Sequence, residues 1–450
     1  EDHLVATSPI LSHCKQHAFG MPPAAGTTGK EADLAKLCSE DLCAQEQCHG
    51  HNGPVCKDCL QLDTLLGLVR AGVLRIKKDL GETVTPAMQR VLQDWTVRLL
   101  QVQVCHRRFM SHVVRGSHEA HAKKSLWSCA RADQNKICVV MDFKMKVEQQ
   151  QNRESSVDFY GKRGMILHGI QVSWIRVCPG ETEPRLFIQT FDFTTGSSKE
   201  DSFIVCAMLE KALNIWRQQQ PWSEDTQFDV DIFTDGAGCY AGQETGLTLQ
   251  AAVERANMRV RTLSLGEAGL NKTTLDGHFG TINAELSAAK RTRGKDIISP
   301  FDLARILGES DLKNTTVLMV DFDFNKRGVL HGPRSKRFFA GIRTMSSTTF
   351  EYDDETGEFK GLLLRRQSNV GAGVRISKTD MALCWETAPE GDACTVISGD
   401  RIDPGGPTTA SAPVGNGAAK KRIRGPNLST TTNIVEALAG HKALYNDSDG

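Results

Sequence analysis

Between residues 136 and 291 strand-like and helix-like runs follow one another in a definite order, and that order restricts the fold more than any other feature of the chain. An apolar run rich in Ile and Val over 136–141 is followed by the polar stretch EQQQNRESS, which reads as a loop, and by a second strand pattern over 165–177. RLFIQTFDF reads as a third strand, and from 201 to 216 apolar residues recur at helical spacing. The run 228–234 returns to a strand pattern and leads into the glycine-rich turn GAGCYAG. A helix over 248–258, a strand over 260–265 and a helix beginning near Leu275 complete the series. The expectation is an α/β domain with a mixed sheet flanked by helices.

Three aspartates punctuate this series. Asp142 ends the run ICVVMD, Asp235 closes FDVDIFTD, and Asp276 opens the helix in TTLDGHFGTINAEL, so they are separated by 93 and 41 positions. Strand ends and helix starts are places where Asp is common for purely structural reasons, because it caps and turns well. Jointly, two strand-end carboxylates and one from a later helix can converge on a pair of divalent cations. Magnesium prefers hard oxygen ligands and keeps positions open for water and phosphate. A pair of such ions suits in-line displacement at a phosphodiester.

The order of three strands, helix, strand, helix, strand, helix is that of a ribonuclease H-like fold. With it, the segments MDFKMK, DFYGKRGMILHGIQV, FTDGAGCY and NKTTLDGHFGTINAELSAAKR resemble the catalytic core of transposon-encoded DDE or DDD transposases, over roughly residues 105–310. The resemblance implies Mg²⁺- or Mn²⁺-dependent DNA strand cleavage and strand transfer, with Asp142, Asp235 and Asp276 at the acidic positions. Many such enzymes carry Glu at the third position, so Glu285, nine residues along the same helix, and Glu267 are rivals to Asp276. The resemblance also implies DNA as partner and work in dimers or larger assemblies on paired ends. Two other readings stay open: a metal-dependent nuclease of the same fold that cuts without joining, and a transposon-derived binding module that has lost activity.

Several basic residues near these carboxylates are candidates for holding nucleic acid. Lys144 and Lys146 alternate with Asp142, which in an extended strand places all three on one face. Lys162 and Arg163 lie in the glycine-flanked turn YGKRG, where backbone amides and positive charge could meet a phosphate backbone. His278, two residues past Asp276, is a further candidate; His168 is equally readable as an ordinary buried histidine.

The N-terminal segment, 1–62, is rich in Cys and His. Cys38, Cys43, Cys48, Cys56 and Cys59 fall within 22 positions with His49 and His51 among them, and His13, Cys14 and His17 precede them. The pair CKDC has the spacing that lets two thiolates reach one tetrahedral ion. A structural Zn²⁺ held by ligands from Cys38, Cys43, Cys48, His51, Cys56 and Cys59 is the expectation, with free thiols or a disulfide framework as alternatives. Disulfides need an oxidising compartment, and the opening EDHLVATSPI has no basic stretch leading into an apolar one. An intracellular location, nuclear or cytoplasmic and not secreted, is therefore expected.

Residues 63–130 read as a helical linker, with a start at Thr85-Pro86 and a basic end carrying Arg107, Arg108, His112, Arg115, His118, His121, Lys123 and Lys124 that could lie along DNA. The core is expected over 131–312. Residues 313–399 (TTVLMVDFDF, SKRFFAGIRTMSSTTFEYD, GLLLRRQS) read as a small β-rich module of short strands, in which Asp321 and Asp323 form a rival acidic pair. From 400 to 450 the composition shifts to Pro, Gly, Ala, Ser and Thr, with the basic cluster Lys420, Lys421, Arg422 and Arg424, and a flexible tail is expected. Lys plus Arg balances Asp plus Glu at 54 each, so attraction for DNA would have to come from local patches. No apolar run is long enough to span a membrane.

Overall fold

Each central strand is apolar on both faces, and this dictates a sheet covered on both sides. In β1 (Lys136–Val147) Ile137, Val139 and Met141 point into one core, while Cys138 and Val140 point into another. The computed structural model describes residues 57–81, 85–130, 133–149, 164–197, 199–223, 225–266, 273–339, 342, 345–365 and 373–400. All of them belong to one unit, Glu1–Ala410.

The sheet is built from β1, β2 (Met165–Val177), β3 (Pro184–Thr195), β4 (Phe228–Thr234), β5 (Met258–Leu265), β6 (Thr315–Phe322), β8 (Ser347–Tyr352), β9 (Phe359–Arg365), β10 (Val374–Ser377) and β12 (Cys394–Asp400). They lie in the order β10-β9-β8-β5-β4-β1-β2-β3-β6-β12. β2 runs antiparallel to both β1 and β3, whereas β4 is parallel to β1 and β5 parallel to β4. β7 (Val329–Leu330) and β11 (Trp385–Thr387) form a separate short ribbon. Residues 313–399 thus place strands on both margins of the central sheet: β6 and β12 beside β3, and β8 to β10 beside β5.

One face is covered by α3 (Ser202–Gln218) and α4 (Gln243–Arg255), which bury Phe203, Leu209, Leu213, Trp216, Leu249 and Val253. The other is covered by α5 (Thr274–Arg291), α6 (Pro300–Gly308) and the end of a long helix, α2 (Pro86–Ala130). On α5 the buried residues Leu275, Phe279, Ile282, Leu286 and Ala289 recur at three and four positions, the stripe that fixes which side meets the sheet. α1 (Lys57–Leu80) pairs with α2, and both expose large apolar side chains, including Leu68 and Trp95. Among the described residues no helix is long and apolar enough to cross a membrane.

Three stretches differ from expectation. The strand expected over 136–141 continues to Val147, so Asp142 lies inside β1, just past the part paired with β4, rather than at a strand end. The helix expected over 248–258 runs instead from Gln243 to Arg255, with Met258 opening β5. It starts early because Gly246 is tolerated inside it, filled over by Phe339 and Ile342, and it stops where Asn257 takes a left-handed φ of 56°. The segment around SKRFF, expected as strand, is α7 (Gly332–Phe338), started by Pro333 in its first turn. A last short helix, α8 (Lys378–Ala382), follows β10.

Candidate active site

Asp142 lies on the face of β1 that carries Cys138 and Val140, at the end where β1 and β4 run side by side. The parallel register pairs Met141 with Thr234, so Asp235 leaves β4 next to the strand that carries Asp142. The glycines after Asp235 give the turn its tightness: a Cβ on Gly236 would sit 3.3 Å from the carbonyl of Gly266, whose own N–H donates to Thr234 O at 2.8 Å. Asp235 Oδ1 accepts from the Ala237 backbone N–H at 2.9 Å, which orients the carboxylate within the turn.

Asp276 arrives from above the sheet, in the first turn of α5. Its Oδ2 accepts the Thr273 backbone N–H at 2.6 Å and completes a capping box, so the helix N-terminus favours its negative charge. α5 can come close because its strand partner there is glycine. Across three strands the register aligns Asp142, Gly169 and Asp192 in one row. A Cβ on Gly169 would stand 3.0 Å from Leu275 Cδ2 and from Phe279 Cε1. Two polar clamps then hold the helix start: Thr274 Oγ1 donates to Gln171 Oε1, and His278 Nε2 lies 2.7 Å from Asp192 Oδ2.

The charges of Asp235 and Asp276 both reach the carboxyl of Asp142. Burial, then the charges of Asp235 and Asp276, push the Asp142 carboxyl up from 3.8 to about 7. Burial also raises Asp235. Among the described residues no three Asp, Glu, His or Cys side chains already stand in position to enclose one ion. The hydrogen bonds explain part of this, since Asp235 and Asp276 are each turned toward a backbone N–H. The donor set itself is chemically suited to a hard divalent cation: all oxygen, with Asp142 and Asp235 half-buried and Asp276 exposed to solvent.

The other candidates divide clearly. Lys144 is half-buried, and burial lowers its pKa. Lys146 is exposed and sits within a bulge between Lys144 and Val147. The bulge shifts the alternation so that Val147, rather than Lys146, rejoins the face of Cys138 and Val140. His278 is engaged by Asp192. His168 points into the opposite core, where its Nε2 meets the Tyr240 hydroxyl at 2.9 Å and burial pushes its pKa down to about 3, so it is held neutral. Glu285 lies about 13 Å further along α5, where Arg293 approaches it at 3.4 Å, and it does not join the aspartates. Asp321 accepts its neighbour's N–H from Phe322, and Asp323 caps the turn Phe324–Lys326. Lys162, Arg163, Glu267, Cys38, Cys43, Cys48, His51 and Cys56 lie outside the described residues, as does the side chain of Cys59.

Asp192, Gly169 and Gln171 went unrecognised in the sequence. The only signal was an acid between two phenylalanines in QTFDF, a context it shares with Asp323 in VDFDF. No protein-family model matches the chain, and no curated protein matches it.

Proposed function

We propose that the chain is a ribonuclease H-like, divalent-metal-dependent enzyme that cleaves DNA strands and joins them in the manner of a transposase. The observation that carries this reading is the convergence of Asp142, Asp235 and Asp276 at one end of two parallel strands, close enough for the other two charges to raise Asp142. The strand order β3-β2-β1-β4-β5, with β2 antiparallel and helices on both faces, supports the fold assignment.

In this reading Asp142, Asp235 and Asp276 would hold Mg²⁺ or Mn²⁺, which supplies activation of the attacking oxygen and stabilisation of the leaving one. The chain's own work is placement. β1 and β4 fix two carboxylates by their register, and α5 brings the third over Gly169. Asp142 and Asp235 are half-buried, which weakens the screening of their charges by water, so a cation gains more from them than from exposed carboxylates. Lys144, on the same strand and close behind Asp142, offers a cation to a phosphate. The N-terminal Cys/His segment would add a structural Zn²⁺ site, and the chain would act on DNA inside the cell, in the nucleus or the cytoplasm.

The test is a calorimetric titration of Mn²⁺ into the protein and into an Asp142→Ala, Asp235→Ala double variant, beside a Mn²⁺-dependent DNA nicking and strand-transfer assay. Loss of both binding and nicking in the variant is expected. Identical titrations would overturn the assignment. Nicking without joining would favour a nuclease of the same fold. The cap made by Asp276 favours one other reading, a binding module in which the third aspartate serves α5 alone; retention of all DNA-dependent effects in Asp142→Ala would establish it.

A further inference from the structure

The core-facing stripe of α2 changes character as it passes the carboxylates. Leu126, Trp127 and Ala130 pack into the second core, and stepping back along the same face by three and four residues gives Lys123 and then Glu119. An apolar stripe is thus continued by two charged residues that remain at least partly buried, Glu119 at 8% exposure. Their location along the sheet is fixed independently. Ser346 Oγ donates to Glu119 Oε1 at 3.3 Å, and the Ser346 carbonyl accepts from Leu265 N–H at 2.7 Å, at the end of β5. Lys123 Nζ stands 5.4 Å from the ring centre of Phe233, two residues before Asp235. Asp276 and Glu119 are the carboxylates whose charge it feels, against a desolvation that lowers its pKa. The cation is therefore held beside the acidic end of β4 and α5 by a helix that lies before the first strand in the chain.

We propose that Lys123 binds a phosphate of the DNA backbone at this site, as a fixed positive charge beside the three aspartates. The proposal rests on the reading of the site given above and adds the group that receives the substrate's charge. Three carboxylates repel a polyanion until their cations are bound, and an ammonium fixed beside them lowers that repulsion whether or not the metals are in place. A lysine stacked on an aromatic face has already lost much of its rotamer freedom, so placing a phosphate against it costs little further ordering. Its compact ammonium suits a single phosphate oxygen as a point charge.

The test measures binding of a fluorescein-labelled duplex oligonucleotide by anisotropy over a salt series, with Ca²⁺ present so that binding is read without cleavage. Lys123→Met is expected to weaken binding several-fold and to reduce the slope of log K against log salt by about 0.9, the loss of one phosphate contact. Lys123→Gln should repeat the loss, and Lys123→Arg should restore the slope. A merely structural lysine would lower the melting temperature without moving the slope. A slope unchanged in Lys123→Met, or no binding by the unsubstituted protein, overturns the proposal. Failure of the metal-site reading shows separately, as Mn²⁺ titrations that do not distinguish the Asp142→Ala, Asp235→Ala variant.

Discussion

His278 Nε2 and Asp192 Oδ2 lie 2.7 Å apart, joining the first turns of α5 to a strand two places along the sheet from the one that carries Asp142. Asp192 is fully buried, and its second oxygen has no hydrogen-bond partner among the described residues. Removing the imidazole leaves the whole carboxyl group unsatisfied, which costs about 1–3 kcal/mol. His278→Ala is expected to lose that much stability in urea unfolding. The double variant with Asp192→Ala should lose less than the sum of the two singles. Strict additivity would show that the pair is not coupled.

The row Asp142, Gly169, Asp192 makes Gly169 a spacer that sets the height of α5. Gly169→Val forces Leu275 and Phe279 outward and is expected to cost about 1–3 kcal/mol, with Gly169→Ala costing less. Because Asp276 rides on the same turn, Mn²⁺ affinity should fall in step with stability. A Gly169→Val protein with unchanged urea midpoint and Mn²⁺ affinity would show that the close approach is immaterial.

The raised Asp142 gives a signed pH dependence. Its carboxyl titrates near 7 when folded, against an ordinary 3.8. Between those values the native state binds more protons than the unfolded chain. Without metal, stability should therefore fall as pH rises through that window, and Asp142→Asn should remove the fall. The gain in melting temperature of the variant over the unsubstituted protein is expected to widen from about pH 4 to about pH 7. A gain that stays constant would mean an ordinary carboxyl. Mn²⁺ competes with the same proton, so the stabilisation it gives should be larger above that window than inside it.

Arg327 ties the start of α3 to the start of α4. Its guanidinium donates to both oxygens of Glu244, at 3.0 and 2.8 Å, and to Asp201 Oδ2 at 2.9 Å, while Asp201 caps α3. Lysine cannot reproduce the forked geometry. Arg327→Lys is expected to lose about 1 kcal/mol, read by chemical denaturation, and equal midpoints would show that the fork contributes nothing.

What could be read in advance follows physical lines. Phe228–Thr234 and Met165–Val177 lie where the apolar pattern put them, because strands buried on both faces leave long unbroken runs that end at glycines and polar residues. Asp142 and Asp235 stood out because each terminates such a run. Asp192 did not, since an acid flanked by phenylalanines looks the same whether its side chain meets water, as at Asp323, or the underside of a helix. Only the docking of α5 separates the two. α7 was missed because a helix of seven residues, Gly332–Phe338, holds too few turns to show a period, and its aromatic end mimics a strand.

The strands that extend the sheet on both sides affect how the chain survives its own synthesis. By Arg291 the chain contains all three aspartates and strands β1 to β5, but β3 and β5 then lack the partners that β6 and β8 later supply. Each would present a bare ladder of N–H and C=O groups, an open template for pairing with another nascent copy. The stretch that carries the three aspartates is therefore the stretch most prone to aggregation when made alone. Fragment 131–312 should collect in the insoluble fraction, whereas a chain carried through Asp400 should stay in solution; a soluble, monomeric fragment on a sizing column would show that the later strands are dispensable.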